Sequence, residues 1–126
     1  MTDNRPLSPH LQIYRWYFTM FLSILHRVTG FGLALGAPLL VWWLFAALQG
    51  ADGFAQFHAF THSIIGMVML AGWLFAMVFH FMNGVRHMVW DTGKMLSKSG
   101  GRTSGIVVFT ASIIITVAIW CCGGMQ

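Results

Sequence analysis

"HFMNGVRHMVWD", residues 80–91, closes one of the most apolar stretches of the chain, a run from residue 63 to about 81, and gathers His80, Arg86, His87 and Asp91 within a few helical turns. Each of those polar groups is costly inside lipid, so the first question is whether the run before them crosses a membrane. The composition answers it. Of 126 residues, 57% are hydrophobic and only 8% are charged, with a mean hydropathy of +0.71; an ordinary soluble domain is about 25% charged. Three apolar runs, 28–48, 63–81 and 106–122, match the roughly 20 residues a helix needs to cross the hydrocarbon core. With their flanks they predict spans at about 24–48, 61–89 and 106–122. The runs are continuous rather than alternating, which favours helices over a β-barrel. The expected fold class is therefore an all-α membrane protein of three transmembrane helices, a single domain over 1–126.

The basic residues set its orientation. Arg5, Arg15 and Arg27 precede or open the first span, and Arg86, Lys94, Lys98 and Arg102 follow the second, whereas the loop 49–58 has none. The positive-inside rule then puts the N-terminus and the second loop on the cytoplasmic or matrix side. The pI of 9.7 is explained by these flanking charges against membrane lipid; no basic patch with a stacking platform suggests a nucleic-acid partner. The N-terminal stretch is polar and aromatic and reads as no signal peptide, so the first helix is expected to be retained. "GKMLSKSGGRTSG" (93–105) reads as a short linker. Cys121 and Cys122 are adjacent, a spacing suited neither to metal ligation nor to mutual pairing, and read as small hydrophobes. Gly32 with Gly36, and Gly66 beside Ser63, suggest close helix approach, within the chain or to a partner. Pro38 lies within the first span.

Two polar clusters stand inside the apolar frame. One is "SILHRVTG" (23–30), with Ser23, His26 and Arg27; the other is the opening stretch. Helix 1 enters from the cytoplasmic side and helix 2 returns to it, so counting residues puts His26 and Arg27 level with Arg86 and His87. His80 should lie about 10 Å deeper. Nearly two turns separate His80 from His87, so they share a face, with Gly84 near the same stripe. This fits a b-type haem lying along the helix, with His80 on iron and with His26, Arg27, Arg86 and His87 near the propionates. Gly84 would let the macrocycle edge approach the backbone, and Asp91, four residues beyond His87, can accept its ring N–H. Interfacial hydrogen bonding by the histidines and snorkelling of the arginines account for the same residues without a cofactor. His58 and His62 lie at the opposite end and read as interfacial. On this depth argument His26 is too shallow to be a second iron ligand, so the missing imidazole should come from another subunit.

At these clusters the sequence resembles the cytochrome b556 membrane-anchor family of succinate dehydrogenase, respiratory complex II. "RPLSPHLQIYRW" (5–16) and "SILHRVTG" resemble its first signature, and "HFMNGVRHMVWDTG" (80–93) its second, so the likeness covers essentially the whole chain. The resemblance implies a bundle with a second anchor subunit that supplies the other haem b histidine, and attachment to an iron–sulfur subunit and a flavoprotein. It implies His80 as axial ligand, His26, Arg27 and His87 as propionate contacts, and Ser23, Ile24 and Arg27 as part of the ubiquinone site. Leu11 and Trp16 fall at further positions that approach the quinone. A bacterial or mitochondrial inner membrane is implied, with electrons passing from succinate to ubiquinone. A haem-free structural anchor and a fumarate reductase-type, quinol-oxidising anchor are the alternatives.

Overall fold

A computed structural model describes residues 14–123 as four helices: α1 (Phe18–Leu48), α2 (Ala51–Thr61), α3 (Ile64–Asp91) and α4 (Lys98–Gly123). Three of them, α1, α3 and α4, are long and apolar enough to cross a membrane. At 1.5 Å per residue, the 31 residues of α1 extend about 46 Å, well beyond a hydrocarbon core of roughly 30 Å. The excess length must be taken up by tilt or lie outside the hydrocarbon core. Helix α1 continues through Pro38 without interruption. Its start at Phe18 is six residues earlier than the sequence predicts, and α4 likewise begins at Lys98, inside the stretch expected to be linker.

Helix α2 is absent from the sequence-based expectation, which reads 49–58 as a loop. Gly50, at φ 79°, turns the chain sharply after α1, a conformation that favours glycine. The short helix that follows lays Phe57 and Phe60 against Trp42 of α1, with ring centroids 5.1 Å apart in both pairs. Ser63 then caps α3, its hydroxyl accepting from the Gly66 amide at 3.1 Å. Gly66 itself packs against the Phe60 backbone, where a Cβ would not fit. His62 is thus the C-cap of α2 and lies outside α3, a correction to the predicted span 61–89, which includes it.

The core sits where α1, α3 and α4 meet. Leu22, Phe79 and Val108 are buried there, with Phe18, Leu25, Phe75, Met82 and Phe109 packed around them. Phe79 meets Phe109 edge-on with centroids 6.3 Å apart, a favoured aromatic geometry. Lipid tails are as apolar as these side chains, so close packing and small residues, rather than hydrophobic expulsion, must hold the helices together. Gly105 of α4 shows the device: a Cβ there would overlap Leu22 of α1. Gly36 does the same for Trp73, whose indole N–H donates to the Leu33 carbonyl at 3.4 Å. Gly32 faces open space instead.

Candidate functional site

The histidines of α1 and α3 come together in the helical interface. The His26 and His80 rings stack with centroids 3.9 Å apart and planes 11° from parallel, and the His87 ring is 5.3 Å from that of His26. The sequence reading sets His26 well above His80; the structure corrects this. His26 lies eight residues after the start of α1 and His80 eleven before the end of α3, about 12 and 17 Å from their helix ends. The early start of α1 is the reason: it carries His26 more than two turns into the helix.

His80 is held in one orientation by α1. Its Nδ1 lies 3.0 Å from the His26 backbone carbonyl and 3.4 Å from Thr29 Oγ1. The Thr29 hydroxyl donates to the Leu25 and His26 carbonyls, at 2.8 and 2.9 Å, so toward His80 it can only accept. Both neighbours of Nδ1 are acceptors, which places the ring proton there and leaves the Nε2 lone pair free. Such a second bond sets which imidazole nitrogen can ligate metal. Gly30 makes room for the ring, since a Cβ on it would sit 2.9 Å from His80 Cε1. Thr29 and Gly30 are functional neighbours that sequence reasoning missed, although both close the "SILHRVTG" stretch and lie one turn beyond His26 on the same face.

Several features suit a haem group. Gly84 opens onto free space beside the histidine stripe. His26 Nδ1 is buried without a hydrogen-bond partner among the described residues, an unmet need that a ligand oxygen can fill. The His26 and His80 rings lie face to face, so their nitrogens do not point end-on at one site between them.

Arg86 departs from its expected neighbourhood. It is only 5% exposed and turns toward α4, donating from Nε to Ser104 Oγ at 3.0 Å and from Nη2 to the Gly101 carbonyl at 2.9 Å. Its guanidinium lies 4.0 Å from the Trp90 ring centre, and Nη1 donates to Asn83 Oδ1 at 3.1 Å. A buried cation of this kind, with one hydrogen bond from each guanidinium nitrogen and an aromatic ring against it, ties α3 to α4. Asp91 is not brought onto His87: it is exposed, and the His87 ring instead leans back one turn to Asn83, with Nε2 3.3 Å from Nδ2. Side chains on a helix tilt toward its N-terminus, which favours that earlier partner.

On α1, Ser23 is half-buried and Arg27 exposed, four residues apart on one stripe, with Ile24 beside them 44% exposed. Trp16 lines a different feature, a cleft of 1190 Å³ among the start of α1, the end of α3 and the start of α4 with Tyr17, Trp90, Lys98 and Arg102. Ser23, Ile24 and Arg27 are not among its lining residues. Leu11 lies outside the described residues. His58 and His62 are exposed and stack on each other, centroids 3.8 Å apart, around the turn between α2 and α3.

Three helices long and apolar enough to cross a membrane thus carry a histidine cluster between two of them. Comparison with known proteins is specific. Residues 1–119 match the succinate dehydrogenase/fumarate reductase transmembrane subunit family. The succinate dehydrogenase cytochrome b556 subunit of Paracoccus denitrificans is 36% identical over 114 residues, covering 90% of this chain and 88% of that one. The corresponding subunit of Rickettsia felis is 36% identical over 118 residues, 94% of this chain and 92% of the relative. The mitochondrial cytochrome b560 subunit of Bos taurus is 37% identical over 123 residues, 94% of this chain and 71% of the relative. The chain belongs to the succinate dehydrogenase/fumarate reductase transmembrane subunit family. It is a membrane subunit of an oxidoreductase complex.

Proposed function

We propose that this chain is the haem b-carrying anchor of an inner-membrane succinate:ubiquinone oxidoreductase, with His80 as the axial ligand it contributes. The observation that carries the reading is the His80 Nδ1 bond to the His26 carbonyl, which leaves the opposite nitrogen free for a ligand. His26, Arg27 and His87 then receive the propionates at the level of the histidine cluster, and Gly84 leaves space for the macrocycle edge. Haem b, when bound, supplies a one-electron redox centre near the quinone.

The quinone-facing residues are Ser23, Ile24 and Arg27. The Ser23 hydroxyl donates to a quinone carbonyl, and the Arg27 guanidinium stabilises the negative charge that grows on a quinone oxygen as electrons arrive. Ile24 supplies an apolar wall against the ring. The flavoprotein and iron–sulfur subunits deliver electrons from succinate, and a second anchor subunit brings the other haem histidine. The test is to purify the chain alone and with its partner subunits. A complete bis-histidine haem spectrum is expected only from the assembled complex; the same spectrum from the chain alone would refute the shared ligation, and a haem-free complex would leave a structural anchor.

A further inference from the structure

The geometry points to Asn83 as a positioning residue that fixes the ring proton of His87, under the control of Arg86. Asn83 is fully buried on α3, one turn before both Arg86 and His87. Its amide is bonded on both sides: Oδ1 to Arg86 Nη1 at 3.1 Å and Nδ2 to His87 Nε2 at 3.3 Å. A guanidinium has no acceptor, so whatever faces it must be the amide oxygen. That forces the NH2 group toward His87. An NH2 group offers only hydrogens, so His87 Nε2 must present its lone pair and the ring proton must sit on Nδ1. Arg86 cannot turn away, because Ser104 and the Gly101 carbonyl hold it from α4 and the Trp90 ring of its own helix lies against it. The contact between α3 and α4 is thereby relayed through three side chains to the histidine cluster between α1 and α3.

The consequence rests on the reading of His87 as a propionate contact. A carboxylate needs a donor, and the relay guarantees one at Nδ1 while closing Nε2 to it. The ring is further seated by Trp90, edge-on at 5.1 Å, and by His26 at 5.3 Å, so it cannot simply rotate to exchange its nitrogens. Asn83 touches no reacting group in this scheme; it acts through His87.

The test is nitrogen-15 NMR of the purified, dithionite-reduced complex with labelled histidine, the His87 signals being those that vanish in His87→Gln. The relay requires a protonated, pyrrole-type Nδ1 and an unprotonated, pyridine-type Nε2. In Asn83→Asp the carboxylate becomes an acceptor toward the ring, and the two signals are expected to exchange places or both become pyrrole-type. Wild-type His87 protonated at Nε2, or a variant whose His87 signals are unmoved, overturns the inference. If the variant fails to assemble, the wild-type spectrum alone decides. Haem bands recorded on the same sample separate the two claims: their absence from the wild-type complex counts against the haem reading, while the tautomer is read independently of it.

Discussion

His80 Nδ1 and the His26 backbone carbonyl lie 3.0 Å apart, so a main-chain group of α1 decides which nitrogen of an α3 histidine is available. A carbonyl cannot be removed by side-chain substitution, but its distance to the ring depends on Gly30, whose missing Cβ leaves the ring its seat. Gly30→Val is expected to displace His80 and lower haem content severalfold in the purified complex. Gly32→Ala, which meets open space, should leave the haem-to-protein ratio unchanged.

Thr29→Val separates the two acceptors near His80. The Thr29 hydroxyl is already committed as a donor to α1 carbonyls, so the His26 carbonyl is the principal partner. Haem content should stay near wild type in this variant, as measured by absorbance per complex. A loss comparable to that of Gly30→Val would transfer the orienting role to the hydroxyl.

Arg86→Leu strands the Asn83 oxygen in a buried site and removes the bonds to Ser104 and the Gly101 carbonyl and the contact with Trp90. Hydrogen bonds to charged groups contribute roughly 1.5–3 kcal/mol each. The variant complex should lose several degrees of thermal stability, or fail to assemble, in a melting experiment that follows intrinsic fluorescence. Arg86→Lys should recover only part of the loss, because an ammonium cannot reproduce the planar fork and the stacking.

Ser23→Ala and Arg27→Leu are expected to lower succinate-driven quinone reduction by at least tenfold, while succinate oxidation with a soluble dye acceptor stays near wild type. Loss of one preorganised donor at a developing anion costs on the order of 10²–10³ in rate in the best-studied case. Parallel loss of both activities would indicate failed assembly instead.

Much of this architecture is legible in the sequence because lipid imposes a simple rule: a membrane span must be long, apolar and helical. The three spans follow from that rule. Helix α2 does not, because its 11 residues are too few to cross and its partner, Trp42, is distant in sequence. The histidine cluster could be anticipated from spacing, but its depth could not, since counting from apolar boundaries misses the polar and aromatic turns that extend α1 back to Phe18. Arg86 shows a second limit. Its charge marks it as notable, yet only tertiary packing reveals that Ser104 and Gly101, beyond a turn, claim it for α4. Asn83 carries no charge and drew no notice, although it stands in the quoted stretch one turn before His87.

The most direct test of the central claim is the dithionite-reduced minus oxidised absorption spectrum of the complex, purified with wild-type chain and with His80→Ala. The account predicts a b-type α-band in the wild type and its loss, or a shift in its position and midpoint potential, in the variant. A band of unchanged position, intensity and potential in His80→Ala would contradict it.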